Sequence, residues 1–494
     1  MTSVGYTYLA ETLGLDALPL KRVAQVMPAT RIHLAGNVLA VPAGMAPSDG
    51  NLLEQLLFAL KHEGINLSLL AQVMPHIPAE QLTARFEETP SGIYLRKACF
   101  LWEAFNNTTL ATKKPARGRV EPLFDPARYV TGEPQRVQRW RIDFNGLGNL
   151  NWCATVERTE KISALLNENI LLRAQEFMAT LPEAMIDRAI QWAYLHETRS
   201  SFAIEKETPS PDKAERFMQL LKQAQDGRPL SEDYFVGLQN NIISNVLDHA
   251  AAFRHEQNHL SNGRGALGVT YVPPPPELCR ELMVELMRFA NDSAQHTEPL
   301  VAAAITSFGF VFLHPFMDGN GRLSRFLIHQ TLCRAGVLKN GLLLPVSVAM
   351  QHEEARYLAT LQSFSRPIRD FWAVKWIDAD MIELTFKGSS ALYRYWDATA
   401  CVEFTLDMAK RALEVELREE TVFLARYDRI IRLINAQYDV RGSDLSKLVI
   451  MCLDNQGQLS LNRRKQFRYV VSDDALSFIE ASTQQVLEDA SGST

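Results

Sequence analysis

Apolar residues crowd most densely over residues 301–313, a run without a single charge, which predicts a helix buried on all sides. Pro315 disfavours helical dihedrals for the residue before it, so this helix should end at His314 with His314 extended. Leu323, Phe326, Leu327, Thr331 and Leu332 then recur at helical spacing and restart a helix. Upstream, residues 186–207 read as helix, with Ile190, Ala193, Tyr194, Glu197 and Ser201 on one face and Ser201 one turn before Glu205. Pro209 disfavours helix at Thr208 and so puts Glu205 near the C-terminal end, where a carboxylate is badly placed for the helix dipole.

The rest of the chain is less regular. Residues 1–110 mix helices at 52–61, 67–73 and 92–105 with an extended stretch at 32–42 that contains a glycine turn, the makings of a small recognition module. Residues 111–184 begin as a basic linker (Lys113, Lys114, Arg117 and Arg119, with Pro115 and Gly118), then run extended over 136–159 around a turn at 144–148 and on into helices. Val269, Thr270, Tyr271 and Val272 have strand character, Gly263, Gly265 and Gly268 supply turn positions before them, and four prolines afterwards stop any ladder. Either this flap, about 262–275, offers an exposed edge to an extended target segment or it is an ordinary hairpin. Residues 386–494 read as helical, with amphipathic spacing over 415–438 and then a helix-turn-helix or winged-helix layout. Arg463, Arg464, Lys465 and Arg468 give that region a basic face, for nucleic acid or a partner or simply a charged surface. The expected fold class is mainly α, a helical core at 185–385 with a short β-hairpin, between a mixed N-terminal region and a helical C-terminal one.

Composition narrows the setting. With 494 residues at 47% hydrophobic content the chain can bury large cores in about two to four domains. A net charge of −6 and pI near 6.1 argue against nucleic-acid binding as the main activity but leave room for local basic patches, and the basic face at Arg463 to Arg468 makes the C-terminal region the one place for it. Six cysteines, at 99, 153, 279, 333, 401 and 452, form no CxxC or Cys/His cluster and suit free thiols in a reducing compartment. No basic start with an apolar core marks a signal peptide, and no apolar run, neither 301–313 nor 342–348 with its Pro345, is long enough for a membrane span. The expectation is a soluble cytoplasmic protein with no membrane partner. A homo-oligomer is compatible with it, and no internal repeat is evident.

Candidate chemistry is concentrated in twelve residues between the two core helices, His314-Pro-Phe-Met-Asp-Gly-Asn-Gly-Arg-Leu-Ser-Arg325. Gly319 and Gly321 let successive backbone N–H groups curl around an anion, and the following helix aims its unpaired N–H groups at the same point. Arg322 and Arg325, three apart, can each grip phosphate oxygens bidentately. Asp318 is a hard oxygen ligand of the kind that shares Mg2+ with nucleotide phosphates, and His314 can take a proton from an attacking hydroxyl.

These twelve residues match every specified position of the Fic signature, H-P-F-x-(D/E)-G-N-G-R-x-x-R, so the stretch resembles the Fic (filamentation induced by cAMP) family. The resemblance extends over about 185–385: the segment from Thr270 into the four prolines is similar to the end of the family's flap, and Ser201-Phe-Ala-Ile-Glu205 to its inhibitory motif, (S/T)-x-x-x-E-(G/N). It implies a protein adenylyltransferase that moves AMP from ATP to a Ser, Thr or Tyr hydroxyl of a target protein. His314 would be the base and Asp318 the Mg2+ ligand. Gly319, Asn320, Gly321, Arg322 and Arg325 would hold the phosphates, and Gly268 to Val272 would dock the target. Tyr357, in the position of a family tyrosine near the base, either lines the nucleotide pocket or packs its helix. The same chemistry admits transfer of another phosphate-containing group or removal of AMP, and a nucleotide-sensing regulator without turnover is the alternative of a different class.

By the same resemblance, Glu205, backed by Ser201, would pair with Arg325, deny it to the γ-phosphate and leave the enzyme self-inhibited. Lys206 stands where the family has Gly or Asn. Either the helix runs on to Glu207, or Lys206 competes with Arg325 for Glu205, or the three charged residues form a solvated helix end.

Overall fold

A helix with no polar face needs neighbours on every side, and the long apolar run has them. In a computed structural model, which describes residues 2–243, 249–262, 268–338, 341–377 and 382–491, that run is the helix Pro299–Leu313, with every residue from Leu300 to Phe310 buried. Glu298 caps its start by accepting the Val301 N–H at 2.8 Å. Gly309 lets a partner helix close in, since a Cβ there would meet Leu286 Cδ1 at 3.1 Å and Trp152 Cζ2 at 3.2 Å. Truncating Phe308 or Phe310, 2% and 0% exposed, would cost about 3–5 kcal/mol.

The elements that build the site are, in chain order, α1 (Glu183–Ile204), α2 (Pro211–Gln223), β1 (Leu260–Ser261), β2 (Val269–Tyr271), α3 (Pro299–Leu313), α4 (Asn320–Arg334), α5 (Glu354–Arg369), β3 (Trp372–Trp376) and β4 (Ile382–Phe386). Helices α3 and α4 pack closely, joined by the twelve-residue motif, and α1 lies against α4. The core around them draws in Trp152 and Val156 from upstream and Phe404, Met408 and Leu413 from downstream. The protein is mainly helical, and its strands form only small sheets among the described residues.

The glycine turn read in the N-terminal stretch is a hairpin turn at Gly36 (φ 63°) between His33–Ala35 and Val38–Val41, and Val38–Val41 also pairs in parallel with Val23–Val26. Helices Leu52–Phe58, Leu67–Val73 and Ile93–Asn106 follow in a second core. The extended segment becomes short strands, of which Cys153–Glu157 pairs in parallel with Tyr395–Asp397. At the far end, Ile430, Leu448, Val449 and Ile479 centre a third core in which Gly442–Asp454, a turn with Gln456 and Gly457 at positive φ, and Leu461–Phe467 form a helix-turn-helix. It has no strand among its described residues, so the layout is not a winged helix: the segment after Leu461–Phe467 continues as the helix Asp473–Ser491. Arg463, Lys465 and Arg468 are exposed there, while Arg464 is turned onto Glu480 and Ser477.

All six cysteines are free and all but Cys333 are buried. Among the described residues, no helix is long and apolar enough to cross a membrane.

Candidate active site

His314 ends α3 as expected, yet its backbone is left-handed (φ 52°, ψ 58°) and not extended. Two contacts hold it there: its N–H donates to Phe310 O at 2.9 Å, and its own carbonyl accepts from Arg254 Nε at 2.9 Å. Pro315 removes helical dihedrals but leaves this one open, and histidine tolerates it better than most side chains. The conformation turns the imidazole back over α3, where Nδ1 lies 3.1 Å from Val311 O. A carbonyl accepts only, so Nδ1 carries the proton and Nε2 the lone pair. Burial pushes the His314 pKa down to about 4, against a partial offset from the Val311 hydrogen bond. The ring is therefore neutral at neutral pH.

The loop is closed by Asn320, whose side chain accepts from Phe316 N–H at 3.0 Å and donates to Phe316 O at 2.8 Å. Asn320 thus braces the turn from within. Gly319 sits at φ 89° as the residue before α4, and its N–H donates to the Asp318 carboxylate. That carboxylate is 62% exposed and also 3.2 Å from Arg322 Nη2. Behind it, Arg322 and Arg325 are almost wholly buried, with side chains 5% and 1% exposed. Buried guanidinium groups need acceptors for every N–H. Here Arg322 Nε and Arg325 Nη1 have none.

Helix α1 meets this seat at its C-terminal end. Arg325 Nε donates to Ser201 Oγ at 2.9 Å, and its Nη2 to Ser201 O at 2.6 Å and Glu205 Oε1 at 2.9 Å. Burial opposes charge on Arg325, but the Glu205 carboxylate and the Tyr357 hydroxyl together outweigh it and hold the guanidinium above its ordinary range. Glu205 also leans over the start of α4: a Cβ on Gly321 would lie 2.0 Å from Glu205 Oε1. The carboxylate occupies ground that an anion at the α4 N-terminus would use. A buried network fixes α1 one turn deeper, where Glu197 accepts from Ser347 N–H at 2.8 Å and lies 2.6 Å from His329 Nε2.

Lys206 neither extends the helix nor reaches Glu205. It takes the left-handed conformation itself, φ 58°, with Lys206 N–H to Ala203 O at 2.8 Å and Glu207 N–H to Phe202 O at 3.1 Å. This is the Schellman arrangement that glycine normally serves. A lysine there costs about 1–2 kcal/mol against glycine. The chain reverses at once, and Glu207 lands on Arg322 Nη1 at 2.9 Å.

Tyr357 is buried on α5, stacked on Phe404 at 5.8 Å and tilted against Phe308 at 6.2 Å. Its hydroxyl lies beside the Arg325 guanidinium and Ser324, so Tyr357 packs under the arginine. In the flap, β1 and β2 pair antiparallel (Leu260↔Tyr271), with Val269, Tyr271 and Val272 buried and Thr270 exposed. Gly268 is described, whereas Gly263 and Gly265 lie outside the described residues. Tyr271 donates its hydroxyl to Phe312 O, tying the flap to the end of α3. A second hairpin, β3–β4, packs Trp372 and Leu384 against Val269 and Val272.

Four neighbours of the site had no sequence signal strong enough to find them: Phe202, Glu207, Lys213 and Arg254. Arg254 is the clearest case, a buried side chain that donates to His314 O, Glu256 O at 3.0 Å and Pro274 O. It joins the motif loop to the proline run behind the flap, and only folding places it there.

A helical core that sets a neutral histidine, an exposed carboxylate and two buried, incompletely satisfied arginines around a helix N-terminus can hold an anion with a proton acceptor beside it. Residues 229–332 match the sequence model of the Fic/DOC family. Over 151 residues, 30% of this chain and 28% of the relative, it is 27% identical to protein adenylyltransferase fic-1 of Caenorhabditis elegans. Over 67 residues, 13% of this chain and 14% of the relative, it is 42% identical to protein adenylyltransferase Fic of Drosophila yakuba. The matched stretch thus spans under a third of either relative's length. Among solved structures, a Fic family protein from Desulfovibrio desulfuricans is 20% identical over 63% of this chain and 87% of that one, with a TM-score of 0.39.

Proposed function

We propose that the chain is a protein adenylyltransferase held in a self-inhibited state. The observation that carries this reading is the pair of buried arginines at the start of α4, each keeping one guanidinium nitrogen without an acceptor, beside a histidine with a free Nε2. An ATP polyphosphate supplies the missing acceptors. A target Ser, Thr or Tyr hydroxyl, docked along Gly268 to Val272, attacks the α-phosphorus: the new O–P bond forms as the bond to the β-phosphate bridging oxygen breaks. His314 Nε2 takes the hydroxyl proton. Pyrophosphate leaves against Arg322 and Arg325, with the backbone N–H groups of Gly319 to Gly321 at the phosphates. Asp318 fits as the protein ligand of Mg2+, because its exposed carboxylate stands at the mouth of the anion seat, and bound Mg2+ would neutralise phosphate charge. Among the described residues no cluster of three or more His, Cys, Asp or Glu could hold a metal alone, which suits an ion carried in with the nucleotide.

Glu205 is the brake: it takes Arg325 and leans over Gly321, so the γ-phosphate has no seat until it moves. Intact mass of the wild-type chain and Glu205→Gly, incubated with Mg2+ and each nucleoside triphosphate with and without lysate, tests the class. An AMP adduct that His314→Ala reduces by about 10²- to 10⁴-fold is expected. Adducts of another mass would reassign the transferred group, and nucleotide binding with no adduct from any donor would replace the enzyme by a nucleotide-sensing regulator.

A further inference from the structure

Glu205 accounts for one motif arginine, and the other is held in a way the proposed brake does not use. Glu207 Oε2 accepts from Arg322 Nη1 at 2.9 Å, while its other oxygen, Oε1, accepts from Lys213 Nζ in the first turn of α2. One carboxylate therefore spans two cations with one oxygen each. Both cations lie over the same buried ring: Arg322 Cζ is 5.2 Å and Lys213 Nζ 5.3 Å from the centroid of Phe202. The Lys213 side chain is only 11% exposed. A lysine in the first turn of a helix works against the helix dipole, as a glutamate just past a helix end does. Arg322 still has a buried Nε without a partner. Three locally unfavourable placements, Lys206, Glu207 and Lys213, meet at one spot, the pattern expected where function and not stability sets the residues.

From this geometry we infer that Arg322, Lys213 and Phe202 form a phosphate subsite and that Glu207 sits in it as the phosphate's stand-in. The inference rests on the adenylyltransferase reading and extends it: Lys213 is a further polyphosphate-binding residue, and Glu207 is a second latch set by the same helix cap as Glu205. The Schellman reversal at Lys206 sends the two carboxylates onto arginines three apart on α4, so one movement of the α1 end frees both. The subsite takes the outer phosphates of a nucleoside triphosphate, or free pyrophosphate or tripolyphosphate, and has nothing for AMP.

The opposite role for Glu207 is a buttress that aims Arg322 at phosphate, and binding measurements separate the two without requiring transfer. Affinities of ATP, tripolyphosphate and AMP are measured by calorimetry on the full chain, for wild type, Glu207→Gln and Glu207→Gln/Lys213→Met, with circular dichroism as the fold check and Glu207→Ala in reserve if Gln does not fold. Glu207→Gln should tighten ATP and tripolyphosphate by about tenfold, one charge-assisted contact, and leave AMP within about twofold. Adding Lys213→Met should cancel most of the gain. Unchanged or weaker ATP binding in Glu207→Gln establishes the buttress and overturns the latch; an equal gain for AMP overturns the phosphate subsite; a gain that survives Lys213→Met removes Lys213. Failure of Glu205→Gly to transfer AMP would sink the parent reading while leaving these binding outcomes intact.

Discussion

Glu205→Gly should raise the initial rate of AMP incorporation by at least about tenfold at subsaturating ATP. The contact removed is one charge-assisted hydrogen bond of 2.9 Å between Arg325, 1% exposed, and Glu205, 39% exposed. Such bonds contribute about 1.5–3 kcal/mol, and the open side of Glu205 places this one near the lower end. About 1.4 kcal/mol is a tenfold change in occupancy, which sets the floor. The true factor is larger if the carboxylate also blocks the α4 N-terminus, as the 2.0 Å approach to a Cβ on Gly321 indicates. Glu205→Gln separates the two contributions, because it removes the charge and keeps the bulk. The assay is labelled AMP incorporation at several ATP concentrations, with thermal unfolding run alongside. A rise under twofold in both variants, with folding intact, would refute the competition between Glu205 and phosphate for Arg325.

Lys206→Gly should stabilise the cap by about 1 kcal/mol and lower the basal rate, since the left-handed residue is then unstrained; a lower melting temperature would contradict the cap assignment. His314, with its pKa lowered to about 4 by burial, stays unprotonated in the folded protein while the unfolded chain takes up a proton near 6.5, so its contribution is intact above pH 6.5 and lost as pH falls toward 4. His314→Gln should flatten urea-measured stability between pH 4 and 6.5 relative to wild type, and an identical slope would remove the burial argument. Arg254→Met leaves three backbone carbonyls short of a donor and should destabilise by about 2–4 kcal/mol, with slower transfer through a misplaced His314; a melting curve unchanged within error would count against it.

The twelve-residue motif was legible because its chemistry is local: His314, Asp318, Gly319, Arg322 and Arg325 are brought together by one turn between two helices. Helix α3 was legible because a run with no polar face has one stable use. The flap strand followed from its β-branched and aromatic residues and α1 from periodicity, and Ser201 and Glu205 lie on Arg325. What the sequence hid was decided by conformation or by distance along the chain. His314 before a proline reads as extended, and only the Phe310 and Arg254 contacts select the left-handed alternative. Lys206 reads as a helix continuation or a rival cation because its side chain draws attention, while its role lies in its φ angle. Tyr357 kept two readings until Phe308 and Phe404 enclosed it. Glu207 and Lys213 were charges near a helix end until the reversal of the chain faced them toward Arg322.

The parallel pairing of Cys153–Glu157 with Tyr395–Asp397 also bears on how the protein comes to be folded. Ribosomal synthesis delivers the first strand well before the second: Glu157 N–H waits for Thr399, 242 positions later. Until then Cys153 and Ala154, wholly buried in the finished protein, have one strand edge without its partner. Closing so long a loop is slow, and the open edge invites aggregation in the interval. A fragment limited to the matched residues 229–332 would never make this closure, and one ending before Tyr395 would leave it permanently undone. Expression of the whole chain, aided by a chaperone that shields strand edges, is the route by which this fold should be recovered in good yield.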